Sequence, residues 1–168
     1  MGNRACVVFT NEKQTEISPV CYLHWNGGAE SIYAFLDEME RRQCGRVDYA
    51  AARFAHIVAD FMDQDEAGSS SLGMFNGPKK IDLETMEPFA HTADDNGVFV
   101  VILGEKRLVR RFVLASGNGK YGVTELSKRE VEQERREAYR HEYIVGNEHG
   151  HSIPATFARL RPKISQYG

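Results

Sequence analysis

Cysteine is scarce in this sequence of 168 residues: Cys6, Cys21 and Cys44 are an odd number with no CxxC pair. Reduced, buried thiols are therefore expected, and at this length no disulfide is required to hold a core. Cys6 and Cys21 fall in apolar, strand-like runs, where cysteine behaves as a small hydrophobe. Long apolar runs are also missing. None approaches the roughly 18 residues of a membrane span, and MGNRACVVFTNEK lacks the charged and apolar regions of a signal peptide. A single-domain cytoplasmic chain with no membrane segment is the expectation. Catalytic signatures are absent as well. No Ser, Thr or Cys stands in a nucleophile elbow, and SGNGK (116–120) lacks the full GxxxxGK[ST] spacing and lies between two strand runs rather than before a helix. The histidines nearest one another, His141, His149 and His151, match no zinc spacing. No catalytic residue, metal site or cofactor is expected.

What is present is a strong alternation of element signals. ACVVFT (5–10) and PVCYLHW (19–25) are β-branched and aromatic, and they read as an N-terminal strand pair. From Ala29 the period changes: Ile32, Phe35, Leu36 and Met39 follow helical spacing over 29–43, with Gly45 expected to close the helix. A second amphipathic helix is predicted from Asp48, as N-cap, to Met62. Residues 72–90 give short pieces broken by Asn76-Gly77-Pro78 and Pro88. Then VFVVIL (98–103), RLVRRFVLA (107–115) and YGVTEL (121–126), separated by turn residues, predict an antiparallel meander. Ser127-Lys128-Arg129-Glu130 has the form of a capping box and opens a charged helix to about Tyr143. From about residue 145, glycines and prolines predict a loosely structured tail, within one domain spanning 1–168. Helices segregated from a mostly antiparallel sheet define an α+β fold.

The turn between the second strand and the first helix is the most distinctive local feature. Asn26-Gly27-Gly28-Ala29-Glu30-Ser31 resembles the SGGxDS loop of the ATP-pyrophosphatase family, which grips a nucleotide pyrophosphate. It departs from that pattern at Asn26 and Glu30. The resemblance implies a phosphate-binding role for Asn26, Gly27, Gly28 and Ser31, at a helix N-terminus suited to anions. The plainer reading is a change of direction, with Gly27 or Gly28 at positive φ. Both readings stand at this point.

Charge is uneven along the chain. Residues 1–100 hold 8 Lys and Arg against 16 Asp and Glu, and residues 101–168 hold 13 against 8. The charged helix has few apolar residues (Val131, Ala138 and Tyr139), so it buries little. It carries Arg129, Arg135, Arg136, Tyr139, Arg140 and Tyr143, of the residue types that dominate binding hot spots. These six are the expected partner-binding residues, facing an acidic protein surface or nucleic acid, and intrahelical Glu–Arg pairs are expected to support the helix. GNRACVVF, YLHWNGGAESIYAFL and DNGVFVVI together resemble small proteins of phages, plasmids and other mobile elements. That resemblance implies a non-enzymatic interaction protein, of the anti-CRISPR or anti-restriction kind that inhibits a host defence complex by binding it. A nucleotide-binding domain is the alternative.

Overall fold

The computed structural model describes residues 3–62, 72–82, 86, 95–117, 120–140 and 153–165. Along the chain run β1 (Ala5–Asn11), β2 (Val20–Leu23), α1 (Ala29–Arg41), α2 (Val47–Met62), β3 (Leu72–Phe75), β4 (Val98–Leu103), β5 (Leu108–Gly117), β6 (Lys120–Glu125), α3 (Lys128–Arg140) and α4 (Ile153–Ser165). The strands form one six-stranded sheet in the order β3-β2-β1-β4-β5-β6. Every neighbouring pair is antiparallel except β1 and β4, which run parallel from Cys6↔Val98 to Asn11↔Leu103. The fold is α+β, with a mostly antiparallel mixed sheet. The expected strand pair and meander are both present, and the parallel β1–β4 seam joins them into one sheet.

β1 is central and buried on both faces, which explains its unbroken apolar run. Ala5, Val7 and Phe9 join Phe99 and Val101 beneath α1 and α2, while Cys6 and Val8 join Val98, Val100 and Phe112 on the other face. On the helical side Phe54 packs against Phe9 and Phe35, with ring centroids 5.6 and 6.2 Å apart. Full burial of each such ring contributes about 1.5–3 kcal/mol.

α1 buries the anticipated Ile32, Phe35, Leu36 and Met39. Its end differs from expectation. Gln43, at φ 58°, takes the left-handed position assigned to Gly45, with its N–H donating to the Glu40 carbonyl. α2 begins at Val47, so Asp48 lies in the first turn rather than capping it, and pairs with Arg46 at 2.6 Å. The largest departure is α4. The chain from 153 forms a helix where composition predicts a loose tail, with Pro154 in the first turn, where its missing N–H costs nothing. Ile153, Thr156 and Phe157 are buried, and the Arg42 guanidinium lies 5.4 Å from the Phe157 ring centre. The charged helix is present as α3, but it is followed by α4 rather than ending the fold. Residues 145–152 lie outside the described residues, and no helix among those described is long and apolar enough to cross a membrane.

Glu38 links the end of α1 to its surroundings and is 5% exposed. Arg41 reaches both of its oxygens, at 2.9 and 2.5 Å, and Arg42 reaches one at 3.0 Å. Burial alone would raise this carboxyl, but the hydrogen bonds from Arg41 and Arg42 outweigh it and hold it below the usual range. A depressed folded value means stability present at neutral pH and lost as pH falls from about 4.3, the unfolded value, through the folded one. Glu38→Gln is accordingly expected to be less stable than the parent at pH 7, with the gap narrowing at pH 3. Urea unfolding at the two pH values measures this; a gap that does not narrow contradicts it.

Candidate interaction surface and the Asn-Gly-Gly turn

The three sequence motifs meet at one end of the sheet, where β1 and β4 start and β2 stops. The Asn3 N–H donates to the His24 carbonyl at 2.8 Å, and the Gly27 N–H donates back to the Asn3 carbonyl at 2.8 Å. Asn96 binds the same segment. Its N–H donates to the Arg4 carbonyl at 3.0 Å, and its side-chain amide to Asn3 Oδ1 at 2.5 Å and the Arg4 carbonyl at 3.1 Å. Asp95 accepts from the Arg4 N–H at 3.0 Å and from Arg4 Nε at 3.1 Å. Those hydrogen bonds, that of the guanidinium first, hold its carboxyl below the ordinary aspartate range. Asn3 and Arg4, the HWNGG segment and the DNG turn therefore form one latch of main-chain and side-chain bonds.

Within this latch lie the residues considered for phosphate, Asn26, Gly27, Gly28 and Ser31. Asn26, not a glycine, takes positive φ, at 59°. This corrects the expectation for Gly27 or Gly28; asparagine tolerates the left-handed region because its short polar side chain bonds locally. Gly27 spends its N–H on Asn3. Gly28 is extended, at φ −62° and ψ 153°, and caps α1 without a side-chain bond. Glu30 folds back over it, placing Oε1 2.5 Å from the position of a β-carbon on Gly28. The Glu30 carboxylate thus lies beside Gly28 at the N-terminus of α1, where negative charge is favourable. Ser31 is buried.

α3 is set by a different logic. Its capping box is formed, with the Ser127 N–H donating to Glu130 at 2.6 Å and the Glu130 N–H to Ser127 Oγ at 3.2 Å. Its buried side is small: Ala138 is buried, Val131 is half-buried and Tyr139 is 57% exposed. Among the described residues, its ion pairs run to other elements in place of the expected intrahelical Glu–Arg pairs. Glu134 receives Arg111 Nε at 2.8 Å and Nη2 at 3.2 Å, and the Tyr33 hydroxyl at 3.0 Å. Arg111 is 3% exposed, stacks 3.8 Å from the Phe99 ring centre and donates to the Asn96 carbonyl at 2.8 Å. Burial first, then the Glu134 carboxylate, pushes the Tyr33 phenol well above its ordinary value. Asp37 of α1 completes the attachment, receiving Arg135 at 3.3 Å and Arg107 at 2.9 Å.

The expected partner-binding residues consequently divide. Arg129, Arg136 and Arg140, spaced by seven and four, share one exposed stripe of α3. Tyr139 is exposed beside it. Arg135 faces α1 and is tied to Asp37. Tyr143 lies outside the described residues, as do His141, His149 and His151. Arg111, Glu134 and Tyr33, which fix the helix, were not anticipated. The one signal was an arginine alternating with Val109 and Val113 along β5.

No family model, curated protein or solved structure matches this chain. What it does must be argued from its own surface.

Proposed function

We propose that the chain is a non-enzymatic interaction protein, acting through α3 on an acidic partner surface. The resemblance of its three motifs to mobile-element proteins gives the context: inhibition of a host defence complex by binding. The observation supporting this reading is the stripe of Arg129, Arg136 and Arg140 on a helix that buries almost nothing yet is locked in place by Arg111–Glu134. Exposed pairs add only about 0–1 kcal/mol, so the charge of α3 is poorly explained by stability alone. A fixed helix presenting arginines and Tyr139 has its rotational and backbone freedom already restricted, which lowers the cost of association.

The test is simultaneous reversal of Arg129, Arg136 and Arg140 to glutamate in a tagged protein used to capture partners from nuclease-treated host lysate. Capture is expected to fall at least tenfold, with the thermal midpoint within about 3 °C of the parent, because surface changes of this kind cost little. Unchanged capture by the folded variant places the interface elsewhere. Capture that disappears on nuclease treatment, even with the parent, points to nucleic acid instead.

A further inference from the structure

Arg111 joins α3 to the latch. From β5, its guanidinium grips α3 through Glu134, with Nε donating at 2.8 Å and Nη2 at 3.2 Å. Its remaining nitrogen, Nη1, donates to the Asn96 carbonyl at 2.8 Å and to the Val98 carbonyl at 3.4 Å. Asn96 is the residue of the DNG turn that fastens the latch. Its N–H and side-chain amide hold Arg4 and Asn3, and the Asn3 N–H holds the His24 carbonyl. An unbroken run of bonds thus leads from Glu134 on α3 to the turn that carries Trp25, whose ring centre stands 5.4 Å from that of His24.

Each end of this run depends on the other. α3 buries only Ala138, so apolar packing holds it weakly, and it belongs with the elements that open before a core does. While α3 is docked, Arg111 is shielded from water. When α3 lifts, the guanidinium loses the carboxylate that balances it and gains a path to solvent, and hydration favours its leaving the site. The Asn96 carbonyl then loses that donor. In the other direction, a displaced DNG turn takes the Asn96 carbonyl away from Nη1. Only the longer bond to Val98 remains there, and a buried donor short of partners is costly. The pairing of β1 with β4, from Cys6↔Val98 onward, runs through the sheet ladder and does not pass through Arg111.

We propose that Arg111 couples the docking of α3 to the closure of the latch, so that the two open and close as one unit while the central sheet stays folded. A contiguous network with two arrangements, closed and open, is the physical basis for such coupling. A partner seated on α3 holds the helix down and, through Glu134, Arg111 and Asn96, holds the HWNGG turn as well. Occupancy of α3 is in this way transmitted to Trp25, which is 42% exposed. That use of the coupling rests on the reading of α3 as the interaction helix. The coupling itself does not, and it is tested without a partner.

Native-state hydrogen exchange of the full chain, followed by NMR at increasing sub-denaturing urea, is the test. The probes are the Asn3, Gly27 and Asn96 amides of the latch and the amides of residues 134–138 in α3, with residues 7–9 of β1 as the core reference. Latch and α3 amides are expected to share one opening free energy and one urea slope, with protection at least tenfold below that of β1. Arg111→Met combined with Glu134→Leu removes the link while keeping apolar contact beneath α3. In that variant the latch and α3 amides should separate by at least tenfold in protection. Parent amides that differ between latch and α3 in opening energy or slope overturn the proposal, as do amides that exchange only with β1 in global unfolding. So does a folded double variant whose latch and α3 still open together, since Arg111 is then not the link. Should the double variant fail to fold, Glu134→Gln decides. A coupled latch loses protection by the same factor as α3, and a latch left unchanged overturns the proposal. Loss of partner capture on reversing Arg129, Arg136 and Arg140 is a separate result, which bears on the use of the coupling and not on its existence.

Discussion

Replacing Glu134 with alanine is expected to lower unfolding stability by about 3 kcal/mol, more than a surface helix with one buried alanine would suggest. Arg111 is 3% exposed and cannot turn to solvent. Without Glu134 its guanidinium keeps the Asn96 carbonyl and the Phe99 ring but loses its counter-charge. Breaking a buried pair by removing one partner costs about 3–5 kcal/mol, and the remaining bonds place this case at the lower end. For a chain of this size that corresponds to a fall of about 6–12 °C in thermal midpoint. Tyr33→Phe removes only the hydroxyl bond to Glu134 and is expected to cost about 1 kcal/mol. The decisive comparison is Arg111→Met combined with Glu134→Leu, which removes both charges and fills their volume. Its stability should return to within about 1 kcal/mol of the parent, because the penalty of the single change is a stranded charge rather than a lost attraction. A double variant as unstable as Glu134→Ala would show instead that packing at this node, not charge burial, holds α3.

The same node shows where the sequence was legible and where it was not. The stripe of Ile32, Phe35, Leu36 and Met39 could be read directly, because helical periodicity is local and its buried face follows from it. The α+β class and the β4–β6 meander were legible for the same reason. Arg111 was not, since an arginine in a strand normally marks a solvent face. Its burial depends on Glu134, 23 positions later, and on α3 docking across β5. The parallel pairing of β1 with β4 joins residues about 90 positions apart, and no local pattern encodes it. α4 was hidden by composition: Pro154 suggested a breaker but falls in the first turn, where proline fits. Of the candidate surface, the arginine-rich helix was legible from its residue types. The division of its faces was not, because Asp37 and Arg111 claim one side.

The glycines of the latch should differ sharply in how they tolerate a methyl group. A β-carbon on Gly27 would fall against the Asn3 carbonyl oxygen, with the Ala5 nitrogen and the Arg4 carbonyl carbon each at 2.7 Å. All three are main-chain atoms at the start of β1, fixed by the bonds from Asn3 to His24 and from Asn96 to Arg4. Nothing flexible can give way, so Gly27→Ala is expected to cost about 3 kcal/mol, the upper part of the range for overpacking. Gly97 carries a double penalty. Its φ of 73° strains any residue with a β-carbon, and that carbon would meet the Phe112 carbonyl oxygen. Gly97→Ala should therefore cost at least as much. Gly28→Ala meets only the Glu30 carboxylate, the end of a flexible side chain, and should cost less than about 1 kcal/mol. Asn26→Gly removes a residue from positive φ at 59° and should be neutral or slightly stabilising. Urea unfolding of the four variants reads the order directly. The latch account requires Gly97 and Gly27 to be far costlier than Gly28, and Asn26→Gly to be harmless. A Gly28→Ala variant as damaged as Gly27→Ala would mean that the space above α1 is needed for something other than Glu30.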